Sequence, residues 1–119
     1  MTTTSLSEKQ QVFTQNVGKL IYWAYKAGYG LTWGDAYRDP RLAALNAEQR
    51  LGIAASLHTL RLAIDFNLFR GDVYLTRTED YRPLGEYWKT LDLLNRWGGD
   101  WKHARKDGNH FSMEHEGIQ

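Results

Sequence analysis

The chain has 119 residues, 42% of them hydrophobic, and a formal net charge of +1 from 15 basic and 14 acidic side chains, which is the size and composition of one ordinary globular domain. Five Trp, seven Tyr and four Phe argue against disorder, the absence of cysteine excludes disulfides and a Cys-based zinc site, and scattered Lys and Arg leave no nucleic-acid footprint. The opening Met1-Thr2-Thr3-Thr4-Ser5-Leu6-Ser7-Glu8 lacks the basic and apolar stretches of a secretory signal, and no apolar run is long enough to span a membrane, so the expectation is a protein made in the cytoplasm with no stable membrane insertion.

Residues 1–6 read as a loose tail. Ser7-Glu8-Lys9-Gln10 then reads as a capping box, and Val12, Phe13, Val17, Leu20, Ile21 and Ala24 recur at helical spacing. A helix over residues 7–27 is expected, stopped by Gly28 and Gly30. Tyr22, Trp23 and Tyr25 in its last turns are expected to pack against a sheet. Residues 29–37 alternate as a strand does, and Arg38-Asp39-Pro40 ends it. Residues 41–55, rich in Ala, Leu and charge, predict a short helix or a structured loop.

Leu60, Leu62, Ile64, Phe66 and Leu68 alternate with Arg61, Ala63, Asp65 and Asn67, the clearest strand of the chain. Its apolar face goes to the core, and Asp65 points the other way. Arg70-Gly71-Asp72 is turn chemistry, so Val73-Tyr74-Leu75 can return as a hairpin partner. Pro83 opens a second helix with Leu84, Tyr87, Trp88, Leu91 and Leu94 as its stripe and Gly98-Gly99 as its stop. His110-Phe111-Ser112-Met113 reads as a final strand. The expected architecture is α+β: two main helices and a small antiparallel sheet.

Two stretches carry chemistry: Ser56 to Asp65, which contains His58, and Asp107-Gly108-Asn109-His110-Phe111. No cysteine, nucleophile elbow or phosphate loop competes with them. A catalytic zinc takes three protein ligands from His, Asp and Glu and keeps a fourth position for water, while a carboxylate outside the ligand set moves the proton. His58, Asp65 and His110 supply such ligands. Asp107, three residues before His110 on a turn that Gly108 permits, can face the same pocket. An equally ordinary reading stays open for each residue. Asp65 within an apolar strand needs a cation or good hydrogen bonds, and Arg61 or Arg38 would serve as well as a metal. Asp107 beside Gly is common turn chemistry. Arg38 can pair with Asp35 or Asp39, and Ser56 can cap a turn. Asp100 and His103 form a rival acid–histidine pair at the same offset, whereas His115 lacks such an acid. Trp97 and Trp101 either line a cleft or pack in the core.

A Ser two residues before a His, an Asp seven after that His, and a downstream Asp-x-x-His-Phe together resemble the zinc D-alanyl-D-alanine carboxypeptidase and L-alanyl-D-glutamate endopeptidase family, with its VanX- and VanY-type members and phage endolysins. Gly34-Asp35-Ala36-Tyr37-Arg38 is similar to the family's strand ending in Tyr-Arg. The resemblance spans residues 10–115. It implies the Hedgehog/DD-peptidase fold and one zinc peptidase domain over residues 1–119. It also implies zinc on His58, Asp65 and His110, Asp107 as catalytic base, Arg38 near the substrate or the developing oxyanion, and Ser56 as a substrate or ligand contact. The implied substrate is a peptidoglycan stem peptide, cut by a monomeric, lysin-like enzyme that acts in the periplasm after release from the host cytoplasm. A zinc-binding module of the same fold without activity is the alternative. Arg61 departs from the pattern, since many members carry Gly three residues after the first His. An Arg there narrows or charges the cleft and puts substrate preference in doubt.

Overall fold

Ser5, rather than Ser7, starts the first helix. In the computed structural model, which describes residues 4–42, 56–102 and 105–119, α1 runs Leu6–Lys26. The Ser5 hydroxyl accepts from the Glu8 N–H at 3.1 Å and donates to the Glu8 carboxylate at 3.1 Å. The cap therefore sits two residues earlier than expected, because Ser5-x-x-Glu8 offers a carboxylate where Ser7-x-x-Gln10 offers only an amide. Gly28, at φ 91°, ends the helix.

β1 is Gly30–Trp33, β2 Ala63–Arg70, β3 Val73–Leu75, β4 Asn95–Trp97 and β5 His110–Met113, with a second helix, α2, at Arg82–Thr90. The five strands form one sheet in the order β1-β2-β5-β4, with β3 also on β2, and every pairing is antiparallel. The expected α+β architecture, the β2–β3 hairpin and the last strand are all present. β2 is the hub. Its later residues pair with β1 and β3, while Ala63, Ile64 and Asp65 pair with Ser112, Phe111 and His110 of β5.

Three further expectations about element limits need correction. The strand expected from Leu60 begins at Ala63, because Leu57–Leu60 form a turn of 3-10 helix and Arg61 takes the left-handed conformation at φ 57°. The Leu62 N–H reaches back to the Leu57 carbonyl at 3.0 Å, the bond that closes a helix whose end residue is left-handed. α2 ends at Thr90 rather than at Gly98-Gly99, because the Asp92 carboxylate accepts the Leu94 N–H at 2.8 Å in a local turn. This frees Asn95–Trp97 to become β4, a strand absent from the sequence expectations. The strand expected over 29–37 is regular only over Gly30–Trp33. Beyond it, Gly34 N–H donates to Asp65 O at 2.8 Å and Asp65 N–H to Asp35 O at 2.7 Å, so two residues oppose one in a bulge. The loop or helix expected over 41–55 lies almost wholly outside the described residues; residues 40–42 are helical.

The core lies between the helices and one face of the sheet. Phe13, Val17, Leu20 and Ala24 of α1 meet Leu62, Ile64, Phe66 and Leu68, together with Phe111, Met113, Leu84 and Trp88. Trp88 sits edge-on to Phe13 at 5.6 Å and to Phe111 at 6.0 Å. Its indole N–H spans Arg96 O at 3.0 Å and Ser112 O at 3.1 Å, joining β4 to β5. Each such large side chain, fully buried, contributes roughly 1.5–3 kcal/mol. Tyr22 and Tyr25 are exposed, against the expectation that they pack on the sheet: Trp23 stacks on Tyr87 of α2 at 5.0 Å, and the Tyr25 hydroxyl lies 3.3 Å from Leu31 N of β1. The apolar burial of one β2 face leaves Asp65 and His110 together on the other.

Candidate metal centre and active site

Strand register brings the first two residues together. Asp65 and His110 are directly opposed in the β2–β5 pairing, and His110 Nδ1 lies 3.2 Å from Asp65 Oδ1. The third arrives from the 3-10 turn. Ser56 Oγ accepts the His58 backbone N–H at 3.1 Å, and that cap aims the imidazole back over β2, with Nε2 3.4 Å from the same Asp65 oxygen. The His58 and His110 rings meet edge to face at 5.2 Å. Both histidines are buried, at 3% and 5% exposure.

His58 Nδ1 lies 2.8 Å from Ala36 O. A carbonyl only accepts, so Nδ1 carries the proton and Nε2 is the atom left to face the carboxylate. His110 meets Asp65 through Nδ1, and its Nε2 is buried with no hydrogen-bond partner among the described residues. Burial disfavours charge on Asp65, yet bonds from His110 and His58 outweigh it and hold the carboxyl down at about 2. Burial likewise pulls the His58 pKa down, and the Asp65 carboxylate reverses this and raises it.

Donor atoms of His58, Asp65 and His110 lie within 4.8 Å of one another. Two nitrogens and an oxygen are the borderline donor set that suits zinc and its neighbours. Ligands about 2.0–2.1 Å from a tetrahedral zinc stand roughly 3.3 Å apart, and the two contacts to Asp65 Oδ1 measure 3.2 and 3.4 Å. The residues present fit a metal ion.

Asp107 reaches the same region by a tight turn, with His110 N–H donating to Asp107 O at 3.1 Å. Gly108 lies in that turn without a left-handed φ. A Cβ on it would lie 2.7 Å from Thr78 Cα, so glycine is needed for close packing instead. Gly98, expected only as a helix stop, is a positioning residue. Its carbonyl accepts the Asp107 N–H at 3.0 Å, and a Cβ there would come within 2.1 Å of Asp107 O and 2.9 Å of His110 Cβ. Gly34 does the same for Asp65, whose carbonyl oxygen would be 2.8 Å from a Cβ. The Asp107 residue is exposed overall, but crowding by neighbouring protein and the negative charge of Asp65 push its carboxyl above the usual range. It borders a polar cleft lined also by Tyr74, Thr76, Thr78, Lys106 and Asn109.

Arg38 is largely buried, and its guanidinium pairs with Asp35 at 3.2 Å. Its backbone N–H donates to His58 O at 3.1 Å, so it stands beside the cluster while making the ion pair foreseen as its ordinary role. Ser56 is seen in its capping role. Neither Arg38 nor Arg61 pairs with Asp65; the Arg61 guanidinium lies 4.1 Å over the Tyr37 ring. Of the rival acid–histidine pair, Asp100 is held by Lys89 at 2.7 Å, and His103 lies outside the described residues. Trp97 is core, with its indole N–H on Gly108 O at 2.7 Å, whereas the Trp101 ring lies 4.7 Å from that of His110 and lines the site. No helix among the described residues is long and apolar enough to cross a membrane.

Comparison with known proteins bears on this arrangement. Residues 52–113, just over half of the chain, match the model of a family described as D-alanyl-D-alanine carboxypeptidase. That span holds Ser56, His58, Asp65, Asp107 and His110, and Arg38 precedes it. Among solved structures, the L-Ala D-Glu endopeptidase ChiX of Serratia marcescens is similar at a TM-score of 0.68 and 18% identity, over 96% of this chain and 89% of that one. A variant of the vancomycin-resistance D,D-pentapeptidase VanY from a VanB-type cassette, solved with Zn(II), is similar at a TM-score of 0.54 and 16% identity, over 85% of this chain and 70% of that one. No curated protein sequence matches.

Proposed function

The chain belongs to the D-alanyl-D-alanine carboxypeptidase family, and from that premise we propose that it is a zinc-dependent peptidase of peptidoglycan. The substrate we infer is a stem peptide, cut at a bond such as L-alanyl-D-glutamate or D-alanyl-D-alanine. The first bond is the one named for ChiX, an L-Ala D-Glu endopeptidase, and the second is the one named for the family. The observation that carries the proposal is the convergence of His58, Asp65 and His110 donor atoms within 4.8 Å, beside a carboxylate that is not among them.

In this reading His58 Nε2, Asp65 and His110 Nδ1 hold the metal. When bound, it polarises the scissile carbonyl and makes water acidic enough to lose a proton near neutral pH. The Ala36 carbonyl keeps the His58 proton on Nδ1, so Nε2 presents a lone pair. Asp107 accepts the proton of the attacking water and returns it to the leaving amine. Its raised pKa suits a group that must give the proton back. Arg38, beside His58, is the cation for the developing oxyanion or a substrate carboxylate, with Ser56 a further polar contact at the mouth of the turn. A compact lysin, made in a host cytoplasm and released onto the wall, is the setting we propose for it.

The test is to incubate purified Gram-negative peptidoglycan with the zinc-loaded protein and identify the products by mass spectrometry. New amino termini on D-glutamate establish the endopeptidase, and released D-alanine the carboxypeptidase. An intact wall together with stoichiometric zinc would replace this reading with that of a zinc-binding module.

A further inference from the structure

Arg61 is an arginine in a backbone conformation that favours glycine, at φ 57°, and its side chain is not free. Its guanidinium lies 4.1 Å over the centre of the Tyr37 ring, a cation–π contact. Tyr37 stands between two residues that both bind His58: Ala36, whose carbonyl takes the imidazole Nδ1–H at 2.8 Å, and Arg38, whose N–H donates to His58 O at 3.1 Å. The Arg61 N–H turns back onto the same His58 carbonyl at 3.4 Å. Residues 36–38 and the turn 57–61 are thus laced by three links. Two run through His58 itself, and the third, Arg61 to Tyr37, does not.

We propose that the Arg61–Tyr37 stack is a clamp that positions His58, acting through the Ala36 carbonyl to fix the imidazole as its Nδ1–H tautomer with Nε2 toward Asp65. Both are positioning residues, since neither side chain is among the cluster's donors. A left-handed glycine at position 61 would make the turn with less strain, and arginine there adds the one group that can reach across to Tyr37. The inference rests on the metal-site reading for its consequence, and in the metal-free protein the tautomer is defined where the imidazole is neutral.

Two readouts test it on the full chain. In the metal-free protein, at a pH where the His58 ring is neutral, nitrogen-15 NMR of the histidine rings reports the His58 tautomer, and chelator competition reports the zinc dissociation constant. Arg61→Gly and Tyr37→Leu are each expected to mix the His58 tautomers and to weaken zinc binding about 3- to 10-fold, below the loss typical when a direct hydrogen-bond partner of a ligand is removed. Tyr37→Phe, which keeps the ring face, should restore both readouts, and the double variant should do no more than either single one. Arg61→Gly should not lower the melting temperature, because it relieves a strained position, so a folding defect cannot mimic the effect. An unchanged tautomer in Arg61→Gly and Tyr37→Leu, or effects that simply add, would overturn the clamp. Failure of the wild type to bind zinc would instead defeat the metal-site reading and leave the tautomer result to decide the clamp alone.

Discussion

His110 and Asp65 face each other across the β2–β5 pairing, with His110 Nδ1 3.2 Å from Asp65 Oδ1. The same oxygen lies 3.4 Å from His58 Nε2. One carboxylate oxygen therefore meets two imidazoles, and it does so because an antiparallel register fixes one contact and a capped turn the other. Zinc affinity separates a metal site from an ordinary buried ion pair.

Asp65→Asn preserves shape and removes the charge that a dication needs. Zinc affinity should fall by at least about 100-fold, more than the 10–100-fold typical of losing a partner one step removed from the metal. Competition against a chromophoric chelator checks it.

In the metal-free protein, the Asp65 carboxyl sits at about 2 against an ordinary 3.8. A depressed carboxyl contributes stability above its unfolded value and loses it as pH falls through the folded one. The loss should fall between pH 3.8 and 2 and amount to roughly 2 kcal/mol. His58 works in the opposite sense. Its pKa is raised from 6.5, so its contribution is complete below that value and fades as pH rises through the folded one. Urea unfolding across pH should show a plateau between the two windows, and Asp65→Asn should flatten both shoulders.

Gly98→Ala places a methyl within 2.1 Å of Asp107 O and 2.9 Å of His110 Cβ. Backbone cannot yield as a side-chain tip can, so about 2–4 kcal/mol of stability should be lost. Zinc affinity should fall with it, since His110 moves too. Thermal melting and chelator competition on the same samples check both.

Much of this was legible in the sequence. The alternation of Leu62, Ile64, Phe66 and Leu68 identified β2 and set Asp65 on the face away from the core, where it lies. Two short motifs singled out the histidines and carboxylates that the fold brings together. What stayed hidden has physical causes. Arg61 masks the end of the 3-10 turn, because a left-handed arginine carries none of glycine's signal. β4 is only Asn95-Arg96-Trp97, too short for alternation to register, and the apolar residues before it continue the spacing of α2. The Ala36 carbonyl that fixes the His58 tautomer is a backbone atom, and backbone acceptors leave no mark on residue choice. Gly34 reads as part of a strand, Gly98 as a helix stop and Gly108 as a turn residue, while each is required by a close approach from a distant segment.

The most direct test of the central claim compares wild type with Asp107→Ala, measuring bound zinc and digestion of purified peptidoglycan on the same preparations. Full zinc in both, with wall digestion by the variant reduced about 100- to 10,000-fold, is the predicted result for loss of a general base. Equal digestion by both proteins, or no zinc in either, would contradict it.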